Sequence, residues 1–228
     1  MKLNLNSSIY CIIKNIDKSF IIKKLENFFT QYKLQRFKKG EIIIRSDDPP
    51  LGIFYLKEGA VREYVFSNRD LELTLNTYKP YAFFPVAYAI NDTLSDHIYE
   101  ATTQVILWRA PKEDFLKFIK SEPAIMFDLL SRIYLGLEGF FKRMEYSMSK
   151  DAKPRLIVEL LIHAKRFGPN MILTQKDLAA QSGIARETVN RILKTLKTKG
   201  LINFTNRKLV INHLDKLEKE LHHLDVLL

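Results

Sequence analysis

The stretch LTQKDLAAQSGIARETVNRILKTLKTKGLI, residues 173–202, constrains this chain more than any other. It reads as a helix, a tight turn at Ser182-Gly183 and a second helix. Thr174 stands where an N-cap would open the first helix. Ala179 and Ala180 are small enough for two helices to cross closely, and Gly183 supplies a left-handed turn residue. Ile184, Val189, Ile192, Leu193 and Leu196 hold the second helix down, while Arg186, Glu187 and Arg191 rise together from its other side. That is the layout of a helix-turn-helix, whose second helix lies in the DNA major groove. Arginine pairs two-pronged with guanine O6/N7, and glutamate accepts from cytosine N4. The three side chains are therefore expected to read bases, with a preference for G and C. The competing explanation is a solvated charged face with i,i+4 pairing; the cap, the alanines and the glycine favour the first.

Charge agrees with a polyanion partner. The net charge is +10, and it is unevenly placed. Between Asp151 and Lys208 twelve Lys/Arg face four acids, so the excess coincides with the helix-turn-helix. Binding should fall steeply with salt. The 228 residues suffice for one large domain or two modest ones. The lone cysteine, Cys11, excludes an internal disulfide framework and a cysteine-only iron–sulfur or zinc site. No run approaches a membrane span and no signal-peptide core is present, so the expected location is the cytoplasm.

The remaining chain divides by pattern. Residues 1 to about 35 read as helical, with Phe20, Ile21, Leu25, Phe28 and Phe29 on one face. From Phe37 to Arg109 come short β runs, Glu41–Ile44, Ile53–Leu56, Val61–Phe66, Leu71–Thr77 and Val105–Arg109, broken by glycines and Asp47-Asp48-Pro49-Pro50. Such strands suggest an antiparallel barrel or jelly roll. From Pro111 to Lys150 the period is helical. Met126, Leu130, Ile133, Leu137, Phe140 and Met144 are spaced 4, 3, 4, 3, 4, the a/d seam of a coiled coil. They are expected to form a homodimer interface, since DNA readers of this kind bind paired half-sites; the other explanation is packing within the domain. Ser149-Lys150-Asp151 reads as a hinge. After the second helix, Leu201–Phe204 and Leu209–Ile211 read as a hairpin, making the helix-turn-helix winged, and Leu214–Leu228 as an amphipathic helix that packs on it. The fold class is thus α+β: an N-terminal antiparallel, jelly-roll-like β-roll (1–110), a long dimerisation helix with hinge (111–150), and a C-terminal winged helix-turn-helix (151–228).

Arg186-Glu187-Thr188, with Arg191 three residues on, resembles the recognition helix of the CRP/FNR family of bacterial transcription regulators, its cyclic-AMP receptor branch in particular. FKKGEIII and IFYLKEGAVREYV resemble the opening strands of a cyclic-nucleotide-binding β-roll. The resemblance implies a homodimeric regulator that reads a palindromic, GTGA-like operator with Arg186, Glu187 and Arg191. It implies phosphate contacts from Thr174, Gln175 and Thr188, and RNA polymerase as a further partner. Asn190 departs from a position that is often small and is expected to add a base or phosphate contact. Arg207 and Lys208 at the wing turn either touch phosphate or are solvated.

The resemblance weakens in the β-roll. Where that branch carries Gly-Glu for ribose and Arg-Ser/Thr for cyclic phosphate, this chain has Phe84-Pro85 and Ser95-Asp96-His97. A cyclic phosphate needs a positive fork and backbone donors. An aspartate repels it, Pro85 removes a donor, and no arginine lies between Tyr78 and Thr103. Control by cyclic AMP is not expected. Aromatics replace those groups. Tyr81, Phe83, Phe84, Tyr88 and Tyr99 either fill the barrel, the plainer reading, or line an apolar pocket for an unidentified effector. His97 reads as a surface residue, and no metal ligand set, cofactor site, nucleophile–base pair or phosphate loop is visible. The chain is expected not to be an enzyme. The alternative to a regulator is a small-molecule sensor module whose DNA contact is secondary.

Overall fold

The computed structural model describes residues 17–66, 72–94, 96–171, 173–205 and 208–225; Cys11, Ser95 and Arg207 lie outside them. Contacts group the chain into two compact units, one built on residues up to Val65 with Leu75–Tyr134, the other on Phe66–Thr74 with Leu135 onward.

The first unit opens with α1 (Lys18–Phe29), started by the Asp17 side chain, which accepts from Ser19 N at 2.8 Å. Its buried face is Ile21, Leu25 and Phe29. The helical reading of residues up to about 35 overshoots, because β1 (Lys33–Phe37) already begins there. KLQRF has no alternation of apolar and polar residues, and pairing with a later strand overrides its weak local preference. There follow β2 (Ile42–Ile44), β3 (Ile53–Glu58), β4 (Val61–Phe66), β5 (Glu72–Tyr78), β6 (Phe83–Phe84), α2 (Val86–Asn91), β7 (Ile98–Ala101) and β8 (Val105–Ala110). They form two four-stranded sheets, ordered β1-β8-β3-β6 and β2-β7-β4-β5, and the pairings resolved within them are antiparallel. The antiparallel β-roll expected from the short strands is therefore present. Gly59 shows how tightly it closes. Its φ is +92°, and a Cβ there would sit 2.2 Å from the Gln104 carbonyl oxygen, so only glycine fits.

Alternating side chains of the roll feed two cores. Phe54, Leu56, Val61, Phe84, Tyr99 and Leu107 pack together in one. In the other, Tyr55, Phe83 and Trp108 pack against α1, α3 (Lys112–Ser121) and the start of α4 (Pro123–Ser147), through Phe115, Ile119, Ile125 and Leu129.

The second unit contains the end of α4, α5 (Ala152–Phe167), β9 (Asn170–Met171), α6 (Gln175–Ser182), α7 (Arg186–Thr198), β10 (Ile202–Thr205), β11 (Lys208–Ile211) and α8 (Leu214–Asp225). The wing hairpin β10–β11 gains a third strand, β9, with Leu209 opposite Met171. Leu217 and Leu221 of α8 are buried in the same core as α5 and α7, as an amphipathic tail should be.

The expected hinge, Ser149–Asp151, falls in the short connection between α4 and α5. Tyr146 is buried in the core of the second unit, and the Arg143 guanidinium donates to both Glu159 oxygens, Nε to Oε1 at 2.6 Å and Nη2 to Oε2 at 3.0 Å. Asp151 is polar because it caps α5, accepting from Lys153 N at 3.0 Å. Among the described residues no helix is long and apolar enough to cross a membrane.

Candidate nucleic-acid interface

Local sequence rules explain how α6 and α7 are placed. Thr174 and Asp177 form a capping box: Thr174 Oγ1 accepts from Asp177 N at 3.1 Å, and Thr174 N donates to Asp177 Oδ2 at 2.8 Å. The Thr174 hydroxyl also donates to Asp177 Oδ2 at 2.8 Å. Gly183 ends α6 in the left-handed region, φ +63°. Three residues later α7 begins, with Val189, Ile192, Leu193 and Leu196 buried. Ile184 is buried in the turn. The inward face expected from the sequence is the one observed.

The opposite face carries the residues expected to read bases. Arg186, Glu187 and Arg191 are exposed, and none is tied up in an ion pair with another described residue. Glu187, Asn190 and Arg191 line an open groove of about 530 Å³ together with Lys194, Thr195 and Thr198. The last three were missed in the sequence, although Lys194 follows Asn190 by four residues and Glu187 by seven, a helical-wheel signal. Asn190 is half-buried, and its Oδ1 is buried without a partner. A bidentate grip on adenine needs both amide groups, so this side chain offers at most its NH2 outward.

Other expected contacts are placed less simply. Thr174's hydroxyl is already engaged by Asp177, so a phosphate there must compete with a carboxylate. Gln175 and Thr188 are half-buried, and Lys208 is exposed at the start of β11. The basic surplus is also smaller than the sequence suggests. Glu220 of α8 pairs with Lys153 and, at 2.6 Å, with Lys199, and Glu218 with Lys165 at 3.0 Å. The two lysines hold Glu220 below the usual carboxylate range. Arg186, Arg191, Lys194 and Lys208 are outside these pairs.

On α4, Leu130, Ile133, Leu137, Phe140 and Met144 are exposed, and Met126 is half-buried against the core of the first unit. Phe127, Tyr134 and Phe141 broaden the exposed apolar strip.

In the β-roll the five aromatics do not line one cavity. Phe83 and Tyr88 pack on the helix-side core, whereas Phe84 and Tyr99 stack between the sheets, 5.4 Å apart and nearly parallel. Tyr81 is exposed, and its carbonyl accepts from Arg132 Nη1 at 3.1 Å. Nor is His97 a plain surface residue. Glu63, on β4, is a buried hub that accepts from Tyr78 OH at 2.7 Å and Tyr99 OH at 2.8 Å, with His97 Nδ1 at 2.7 Å. Burial alone would push the Glu63 carboxyl up. The bonds from His97, Tyr78 and Tyr99 outweigh it and hold the group below its ordinary range. The Glu63 bond in turn raises His97. Nothing in REYVF announces a buried acid, because its partners lie 15, 34 and 36 residues away.

Comparison with known proteins adds the decisive observation. Residues 34–122 match the cyclic nucleotide-binding domain model and residues 155–220 the Crp-like helix-turn-helix domain model, so the pair spans more than half the chain in the order the fold presents. This chain belongs to the CRP/FNR family of transcription regulators. Among curated relatives, the global nitrogen regulator of Nostoc sp. is 25% identical over 207 residues, covering 83% of this chain and 93% of its own. The HTH-type transcriptional regulator ArcR of Staphylococcus haemolyticus is 27% identical over 185 residues, covering 76% and 79%. A CooA variant from Carboxydothermus hydrogenoformans shares the fold, with a TM-score of 0.70, 19% identity and coverage of 94% and 96%. As a member of this family the chain carries a DNA-binding helix-turn-helix on a transcription-regulator scaffold.

Proposed function

We propose that this CRP/FNR-family regulator acts in the cytoplasm as a homodimer that reads an inverted repeat with GTGA-like arms, and that it does so without cyclic AMP. The observation that carries the reading is the face of α7. Arg186, Glu187 and Arg191 stand exposed and unpaired on a helix whose other side is buried. The arginines take guanine, Glu187 takes cytosine N4, and the Asn190 amide donates to a base acceptor or a phosphate. Gln175, Thr188, Lys208 and Arg207 serve the backbone, with Thr174 positioned as the cap beneath them; Lys194 extends the same face.

The exposed strip on α4 supports self-association, because single surface leucines are ordinary but a continuous apolar row on a long helix is not. RNA polymerase is the further partner proposed from family membership. Independence from cyclic AMP is supported by the β-roll interior. Glu63, Tyr78, Phe84 and Tyr99 fill the space between the sheets, and the buried charge there is negative, which repels a phosphate.

The test is selection of sites from random duplex DNA by the purified protein, with no ligand, at fixed near-physiological salt. Recovery of an inverted repeat is the expected outcome. Arg186→Ala and Arg191→Ala should each lose about 1–3 kcal/mol on the recovered site and relax preference at one position. Sequence-specific binding that survives the double change would refute the assignment of the reading face.

A further inference from the structure

The C-terminal half of α4 has two different faces. On one, Gly139 lies where a Cβ would come within 3.8 Å of Ile162, Arg143 grips Glu159 with two bonds, and Tyr146 enters the core. Positions 139, 143 and 146 follow the helical 4, 3 spacing, and they meet α5 at 162 and 159, so the two helices run antiparallel. The other face is the exposed row of Leu137, Phe140 and Met144. At 100° per residue the row lies about 130° around the helix from the clamped face. One rigid segment therefore carries both the proposed dimer seam and the attachment of α5, the first helix of the reading unit.

The Arg143–Glu159 pair is the directional part of this attachment. The Glu159 side chain is only 3% exposed. Burial pushes its carboxyl above the ordinary range, and the guanidinium offsets only part of that rise. Buried ion pairs contribute little net stability compared with apolar packing, but they fix geometry. Apolar contacts alone would allow α5 to slide or rotate along α4, whereas a two-pronged bond does not.

We propose that Arg143 and Glu159 are positioning residues that set the distance and phase between the two half-sites the dimer reads. The proposal rests on the dimer reading above. In a two-fold dimer any rotation of α5 against α4 is applied twice, once to each reading helix. DNA converts that error sensitively, since one added base pair turns a half-site by about 34° and moves it by about 3.4 Å.

The test uses the full chain and three sets of duplexes: the selected palindrome, the same arms with spacers one or two base pairs longer or shorter, and a single arm. The variants are Glu159→Gln, Arg143→Lys, and the apolar double change Arg143→Met with Glu159→Leu. Melting curves and sedimentation accompany each. The wild type is expected to prefer its best spacing by about tenfold or more over a one-base-pair change, the scale of one lost base contact. Glu159→Gln and the double variant should cut that preference to about twofold, with single-arm affinity within about twofold and the dimer intact. Arg143→Lys, which keeps the charge but not the fork, should fall between. The double variant decides the matter should Glu159→Gln fold poorly, because its packed apolar pair preserves stability. Unchanged spacing preference in the folded variants overturns the proposal, as does a parallel loss on single-arm and paired DNA. A wild type that is monomeric, or indifferent to spacing, overturns the dimer reading itself, and is recognised before any variant is made.

Discussion

Replacing Glu63 by leucine removes the acceptor from the centre of the β-roll and leaves its donors behind. Tyr78 and Tyr99 then lose the charged acceptor they share and keep only each other and the Asn76 side chain, while half-exposed His97 turns toward water. Each donor cut off from the charged acceptor costs about 1–3 kcal/mol, so two give roughly 2–6 kcal/mol at most. Part of this is offset, because leucine carries no buried charge to desolvate. The net expectation is about 2–4 kcal/mol. Trp108 is the only tryptophan in the chain and is buried in this unit, so its fluorescence in a urea titration reports the β-roll selectively. The midpoint shift multiplied by the slope gives the loss. Adding Tyr78→Phe and Tyr99→Phe to the Glu63→Leu background removes both hydroxyls and should recover about 1–3 kcal/mol, since replacing all polar partners together can be nearly neutral. A loss under about 1 kcal/mol, or no recovery on adding the phenylalanines, would refute the hub argument.

The same cluster predicts a pH window. His97 is raised above its ordinary 6.5, so its contribution is complete below that value and lost as pH rises through the folded value. Glu63 is lowered below 4.5, so its contribution is present above that value and lost on acidification. Trp108-monitored stability should therefore peak between the two and fall by about 0.5–1 kcal/mol toward pH 8.5, the scale of a half-exposed pair; His97→Asn should flatten the alkaline limb, and a variant as pH-sensitive as the wild type would contradict the assignment. Thr174→Ala removes the α6 cap and should destabilise the second unit by about 1 kcal/mol, read by amide exchange in α6. Leu137→Asp with Phe140→Asp should convert the proposed dimer to monomer in sedimentation and weaken palindrome binding far more than single-arm binding; an unchanged sedimentation profile would remove α4 as the seam.

The parts legible in the sequence are those whose determinants are close together. The α6–turn–α7 unit is specified by a cap, a glycine and five apolar residues within some twenty positions, and each lies where the spacing put it. The β-roll was legible as a class because short Ile-, Val- and Tyr-rich runs such as VREYVF are separated by glycines and other turn residues. It was not legible in its interior, because Glu63 finds its partners only through strand pairing, 15, 34 and 36 residues along the chain. β6 and β9 are two residues long, too short for any periodicity to show. Asp151 caps α5, which the sequence does not separate from hinge chemistry, since a helix cap and a hinge use the same small polar residues. The counter-charges of α8 were visible as glutamates, but which lysines they neutralise depends on how α8 docks.

The order of strands in the wing sheet has a consequence for how the protein is made. β11 is the central strand, so β9 has no partner until residues 208–211 exist, some thirty-eight residues after Met171. During synthesis α5, α6 and the whole reading helix leave the ribosome first, with Met171 and Ile202 still uncovered. The sheet closes, and Leu217 and Leu221 seal the core, only after β11 and α8 have been made. A nascent chain therefore displays a complete α7 before it has a stable platform for it. Truncations ending before Lys208 should retain the residues proposed to read DNA yet be degraded or aggregate before they can do so.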